Sequence, residues 1–365
     1  KDRLKGGRCR LNELLEEEGC RSLKDEVLSS LAEQLEVRVR QRMEVSIEGP
    51  RALLVTAPHN IYLRRDGHEP HIMEEYTTLI AQRLARTLGG TCLCWSRAEQ
   101  KRSELLWCLA RIRRGEGGDF SSFLDPRNRD PNYLHTEEVL QNPWFRQMCR
   151  LAERWREHNT DGDVRRSLHV DVHGCRDPPI TPSHLTIGLA AMRNEVDSRR
   201  SSLSLARVEA FGALLKAELS AVLSQLDLRP QFVLVRVLLP ALAEGRERLS
   251  GAWALEDRRL TQSQQALTYA GFTHSCQLEL SKSLRRVLSR DDAANARLGR
   301  AILRAWNLSF GTNATLPSLP RSPASCAAEG RDSLLQSGPS SSSAKARVRR
   351  SCPPRLRISS AQLSS

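Results

Sequence analysis

The 365-residue chain contains no apolar run approaching the roughly twenty residues that a membrane-spanning helix requires. Its first stretch, Lys1 to Leu11, is charged and has no apolar signal-peptide core. It starts at Lys1 rather than Met, so the expectation is of a fragment or processed form that leaves room for an upstream targeting segment. The ten cysteines (Cys9, Cys20, Cys92, Cys94, Cys108, Cys149, Cys175, Cys276, Cys326 and Cys352) include no CxxC pair. That spacing argues against a disulfide framework or a zinc finger, and predicts reduced thiols in a cytoplasmic protein. Two further absences narrow the chemistry. No glycine-rich phosphate loop of the P-loop or dinucleotide type occurs, and no GxSxG nucleophile elbow. Asn307-Leu-Ser and Asn313-Ala-Thr match the glycosylation sequon and are read as chance in such a chain.

What is present is an ordinary globular composition, 39% hydrophobic and 27% charged, with ample length for a core. The net charge is +13, but the stretch from Gly311 to Ser365 carries eight Lys/Arg against two Asp/Glu, so +6 of it lies there. The rest is mixed with acids along the chain. A nucleic-acid role is therefore expected, if anywhere, only of the basic tail.

Residues 1–44 read as a helical accessory segment: Leu11, Leu14, Leu15, Leu23, Val27, Leu28, Leu31 and Leu35 recur at helical spacing, with a break at Gly19. Residues 45–308 read as the main domain. Val45–Ile47 and Ala52–Thr56 are expected to form a hairpin through Glu48-Gly49-Pro50. A helix is expected from Ile72 to Leu88 with Ile72, Tyr76, Leu79, Ile80 and Leu84 as its apolar stripe, then a strand Thr91–Trp95. Helices are expected over Ser103–Arg114 and Thr136–Asn159, the latter turning Trp144, Phe145, Met148, Leu151 and Trp155 inward. Leu168–Val172 and Leu185–Met192 read as strands, Leu203–Leu226 as a long helix, Gln231–Leu239 as a central strand, and Phe272–Leu280 as an alternating strand before a helical end near Trp306. Residues 309–365 are Ser/Pro/Arg-rich and read as disordered. Strands alternating with helices predict an α/β fold: a mixed, mostly parallel sheet flanked by helices, with active groups at the strand ends.

Two strands end on a histidine. Leu53-Leu54-Val55-Thr56-Ala57 stops at Pro58 and delivers His59; Leu168-His169-Val170-Asp171-Val172 delivers His173. A third donor lies on the next helix, where Glu75 shares the buried edge of the apolar stripe, with Glu74 as the alternative and Glu69 behind both. Two imidazoles and a carboxylate form a His2Glu set, which suits catalytic zinc and leaves a position for water. A separate carboxylate is then needed to move protons, and Glu279, facing away from Cys276, Leu278 and Leu280, suits that role. Asn128-Arg129 supply a substrate-binding pair, with Arg129 able to hold a carboxylate or stabilise an oxyanion. Asp171, on the strand face of His173, can orient that ligand.

In order along the chain, Ala57-Pro58-His59, an acidic helix start, Asn128-Arg129-Asp130-Pro131, Asp171-Val-His173-Gly174 and Gln277-Leu-Glu279-Leu-Ser281 with Leu284-Arg285 resemble the N-formylglutamate amidohydrolase family. That family is itself similar to zinc carboxypeptidases and aspartoacylases. The resemblance covers about Leu53 to Leu288 and implies a zinc-dependent hydrolase acting on the amide bond of a small acidic N-acyl substrate. It implies His59, His173 and an acid near Glu75 as metal ligands, Arg129 as the substrate-binding arginine and Glu279 as general base. Asn60-Ile61 stand where the family commonly has Ser and Gly, and Tyr62 stands where a carboxypeptidase has its Glu three residues after the first His. The alternatives are a zinc carboxypeptidase acting on peptide C-termini and a binding protein on the same fold that uses its basic tail.

Overall fold

A computed structural model of the chain describes residues 26–27, 29–30, 42–65, 67–113, 124, 128–158, 166–198, 203–229, 234–239, 249–253 and 258–311, all within the unit Lys1–Pro317. The accessory helices and the basic tail therefore lie almost wholly outside the described residues. Of the former, 26–27 and 29–30 are helical, and Val27 is exposed. No described helix is long and apolar enough to cross a membrane. The six described cysteines, Cys92, Cys94, Cys108, Cys149, Cys175 and Cys276, are not in disulfides.

The centre is a seven-stranded sheet formed by β1 (Met43–Ile47), β2 (Leu53–Ala57), β3 (Thr91–Trp95), β5 (Leu168–Cys175), β6 (Leu185–Gly188), β7 (Val235–Leu238) and β9 (His274–Ser281); β4 (Leu134–His135) and β8 (Arg259–Leu260) form a separate ladder. The order is β1-β3-β2-β5-β9-β6-β7, parallel except for β1 against β3 and β6 against β9. This is the mixed, mostly parallel α/β sheet that the sequence pattern predicts. The principal helices are α1 (Thr77–Leu88), α2 (Arg97–Arg113), α3 (Pro143–His158), α4 (Ala190–Asp197), α5 (Leu205–Leu223), α6 (Lys282–Arg290) and α7 (Asp292–Phe310).

Alternation along the central strands assigns each face. Leu53, Val55, Leu168, Val170, Val172, Cys276, Leu278 and Leu280 share one apolar cluster with Leu84 of α1, Phe211 of α5 and Ile302 of α7. On the other face Leu54, Leu93 and Trp95 pack with Trp144, Phe145 and Met148 of α3. Each such buried side chain contributes on the order of 1.5–3 kcal/mol. Between these apolar patches the second face is polar: His169, Asp171 and His173 on β5, and Ser275, Gln277 and Glu279 on β9, are all buried. A parallel strand covered on both sides is normally apolar throughout. Here one face of the two central strands is spent on polar groups, and His173 and Glu279 lie side by side near the carboxyl ends of β5 and β9.

Several expected elements take other forms. Residues 45–47 and 52–56 are not a hairpin, because β3 inserts between β1 and β2 and pairs with both. The strand near Val235 lies at the sheet edge, not its centre. Residues 185–192 are a short strand followed by α4. Thr136–Asn159 is not one helix: Asn142 caps the start of α3 by accepting from the backbone N–H of Trp144 at 2.9 Å, with Pro143 in the first helical position. The inward residues of α3 are nonetheless those expected. Helix α7 continues through Ser309 and Phe310, both buried, beyond the expected boundary at residue 308.

The largest departure precedes α1. The helix begins at Thr77, not Ile72, and Tyr76 ahead of it is left-handed with φ 71°. Ile72, Tyr76 and Leu79 of the expected stripe are exposed, while Ile80, Ala81, Leu84, Ala85 and Leu88 form the buried face. Residues 72–75 follow the loop instead of the helix because they are held elsewhere. The N–H of Glu74 donates to the carbonyl of His59 at 2.8 Å, and the carbonyl of Glu75 accepts from Arg285 Nη1 at 2.6 Å.

Candidate metal centre

Pro58 ends β2, and its carbonyl accepts the indole N–H of Trp95 at 2.7 Å, which fixes the turn that carries His59. On the adjacent parallel strand, Thr56 is in register with Asp171, and His173 follows two residues later on the same face. His173 is in turn in register with Glu279 on β9. The segment 128–132 is stitched to the loop after β2 by Arg64 N–H to the Asn128 carbonyl and Asp130 N–H to the Arg64 carbonyl, both 2.9 Å. This brings Asp130 and Asn132 against the histidines.

His59, Glu74 and His173 form a buried group whose donor atoms all lie within 4.8 Å of one another and which can hold a metal ion. The ring Nδ1 atoms of His59 and His173 are 3.0 Å apart, and His59 Nδ1 is 3.1 Å from Glu74 Oε1. The far nitrogens are taken by carboxylates: His59 Nε2 meets Asp130 Oδ1 at 2.9 Å and His173 Nε2 meets Asp171 Oδ2 at 2.8 Å. Each carboxylate is anchored in turn, Asp130 by Arg65 Nε at 2.6 Å and Asp171 by the Thr56 hydroxyl at 2.6 Å. Carboxylate–histidine pairs of this kind set the ring tautomer so that the opposite nitrogen offers its lone pair to a cation. The amide nitrogen of Asn132 also lies 3.3 Å from His59 Nε2 and 3.5 Å from His173 Nε2.

The electrostatics agree with a cation site. Burial opposes ionisation of Glu74, Asp130 and Asp171, yet His59 holds the first two and His173 the third below the ordinary carboxylate range. Burial likewise opposes charge on His173, but Asp171, with Glu279 and Glu74, carries it up to about 10. His59 is raised in the same way by Asp130 and Glu74. Three buried, ionised carboxylates thus demand positive charge among them, met by protons on the two rings or by a metal ion. The chemistry of the donors, two imidazole nitrogens and one carboxylate oxygen, fits a divalent metal.

Glu279 behaves differently. Burial is the largest influence on it and, with the charge of Glu74 adding, outweighs the attraction of His173 and raises the carboxyl to about 7. Its Oε1 accepts from Gln277 Nε2 at 2.6 Å. It is fully enclosed on a central strand.

The structure therefore unites His59, His173 and Glu279 at the carboxyl ends of neighbouring strands, but it replaces Glu75 with Glu74. Glu75 is only half-buried, and Glu69 is exposed. The helical spacing that favoured Glu75 does not apply, because α1 begins only at Thr77 and both acids lie ahead of it, where the Glu74 N–H is tied to the His59 carbonyl. Arg129 and Asn128 are committed to other partners. Arg129 makes a two-pronged pair with Glu138 (Nη1–Oε1 2.6 Å, Nη2–Oε2 3.1 Å), whose hydrogen bond holds the Glu138 carboxyl below its ordinary value. The Asn128 amide donates to buried Glu99 and accepts from Arg42 at 3.4 Å. Asn60, beside His59, is buried with no hydrogen-bond partner for its amide among the described residues. Asp130, Asn132 and His71 are additional members that the sequence did not single out. Asp130 stands in the Asn128-Arg129-Asp130-Pro131 stretch without a role of its own, and its place depends on the stitch to Arg64. His71 does carry a local signal, since it stands three residues before Glu74.

No family model matches the chain, and no curated protein sequence matches it. Among solved structures, gene product Atu2144 from Agrobacterium tumefaciens aligns over 75% of this chain and 98% of its own, with 11% identity and a TM-score of 0.36.

Proposed function

We propose that this protein is a zinc-dependent amidohydrolase that cleaves the amide bond of a small, acidic N-acylated amino acid of the N-formylglutamate kind. The observation that carries this reading is the buried His59–Glu74–His173 group with Glu279 in register beside His173. Zinc held by those three residues would lower the pKa of a bound water and polarise a carbonyl. Glu279 supplies what a hydrolase needs besides a metal, a base that is not itself a ligand. Its carboxyl accepts the proton of the attacking water as the carbon–oxygen bond forms. It then delivers that proton to the leaving nitrogen as the carbon–nitrogen bond breaks, giving a carboxylic acid and an amine. A carboxyl raised to about 7 is matched to giving and taking a proton near neutral pH. Asp130 and Asp171 hold the two rings in orientation. Arg129 binds the substrate carboxylate by exchanging Glu138 for it, a swap of one bidentate partner for another, and Asn128 fixes the backbone beside Arg129.

The test is metal content by elemental analysis together with release of formate from N-formylglutamate. About one zinc per chain and activity lost on chelation and restored by zinc support the reading; full activity in metal-stripped protein overturns it. A short peptide assayed alongside separates this activity from that of a carboxypeptidase.

A further inference from the structure

We propose that His71 is a positioning residue of the metal centre, a hydrogen-bond donor that orients Glu74 and does not itself ligate the ion. The inference rests on the metal-binding reading above. His71 stands three residues before Glu74, a spacing at which both residues often ligate one metal, and the geometry separates their roles. His71 Nε2 lies 3.2 Å from Glu74 Oε1, the same oxygen that His59 Nδ1 approaches at 3.1 Å. The other oxygen, Oε2, accepts the backbone N–H of Gly174 at 2.7 Å. A carboxylate only accepts: His59 meets one at each nitrogen and gives its proton to Asp130 through Nε2, which leaves Nδ1 for the ion, whereas among the described residues His71 has Glu74 as its carboxylate partner and donates to it through Nε2. The group of mutually close donor atoms includes His59, Glu74 and His173 and leaves His71 out.

His71 is built to hold position. Its backbone forms an isolated antiparallel bridge with Leu63, whose side chain is fully buried: His71 N–H donates to the Leu63 carbonyl at 2.9 Å, and Leu63 N–H donates back at 3.2 Å. Its ring lies against that of His59, centroids 3.8 Å apart and planes inclined by 36°. One side chain thus touches the carboxylate of one ligand and the ring face of another. Glu74 belongs neither to a strand nor to α1, so its carboxylate is placed by hydrogen bonds from the loop and from its neighbours, and His71 supplies one of them.

The experiment measures zinc affinity by chelator competition in the full chain, for wild type and for His71→Ala, His71→Gln, His71→Asn and His59→Ala, with the melting temperature of the metal-free proteins and the visible spectrum of the cobalt-loaded ones. Loss of an outer-shell partner weakens metal binding by about 10–100-fold. His71→Ala is expected to lose affinity in that range, to keep one zinc per chain, to shift the cobalt bands and to leave the metal-free melting temperature near that of wild type. His71→Gln, whose terminal amide reaches as far as Nε2, is expected to recover most of the affinity, and His71→Asn to recover little. Affinity of His71→Ala within twofold of wild type overturns the inference and leaves the metal site standing. A loss as complete as that of His59→Ala makes His71 a ligand and overturns it too. Failure of wild type to bind zinc removes both readings.

Discussion

The Nδ1 atoms of His59 and His173 face each other at 3.0 Å while their Nε2 atoms rest on Asp130 and Asp171. Two carboxylates on the outer edges leave the inner edges available for a cation. Changing one of those carboxylates to an amide has a directional consequence. Thr56 donates to Asp171 Oδ1, so Asp171→Asn keeps its oxygen toward Thr56 and turns its NH2 toward His173 Nε2. That pins the ring proton on Nδ1, where the metal would bind. Asp171→Asn is expected to weaken zinc binding by about 10–100-fold, read by chelator competition. Unchanged affinity would show that the carboxylate does not set the tautomer.

The two neighbouring acids provide a sharper contrast. Glu74→Gln removes a member of the buried group and is expected to abolish stoichiometric zinc, while Glu75→Gln, whose residue contributes a backbone carbonyl to Arg285, is expected to retain it. Elemental analysis of the two purified variants decides; the reverse result would restore the ligand set suggested by helical spacing.

That contrast also shows where sequence reading succeeds and where it stops. The strands that deliver His59 and His173, the carboxylate opposite Leu278 and Leu280, and the inward residues of α3 are all local patterns of period 2 or 3.6, and they persist in the fold. The choice of Glu74 is not local. It depends on a hydrogen bond from Glu74 to the His59 carbonyl and a left-handed Tyr76, both imposed by the rest of the loop. The same holds for Asp130, placed by its ladder with Arg64, and for β3, which separates two strands that a short turn signal joins in sequence. The break at Asn142-Pro143 was legible, as a cap followed by proline, but a run of apolar residues at helical spacing extends across it.

Glu279 is expected to be needed for turnover and not for metal binding. Glu279→Gln keeps the size and the contact with Gln277 but cannot take a proton from water. Zinc content equal to wild type with turnover lower by about 10²–10⁴-fold is the expected outcome, measured as formate release from N-formylglutamate. Loss of zinc in this variant would instead place Glu279 among the ligands.

Acid sensitivity of the fold is expected to reside partly at the amino end of β9, away from the metal centre. His274 is buried there against Phe310, with ring centroids 4.0 Å apart, and burial lowers its pKa from 6.5 to about 3. On the neighbouring strand burial lowers His169 to about 4. Both are neutral when folded and protonate first in the unfolded chain. Between about pH 6.5 and each folded value the unfolded state therefore binds more protons, so stability present above pH 6.5 is lost as the pH falls toward 4 and then 3. His274→Gln removes one of the two groups. Its melting temperature at pH 7.5 is expected to be lower than that of wild type, because the ring contact with Phe310 is lost, but its further decline between pH 7 and 5 is expected to be shallower. Melting curves recorded on metal-free protein keep the His59 and His173 site the same in both chains. Parallel declines in the two proteins would show that the acid-labile groups lie elsewhere.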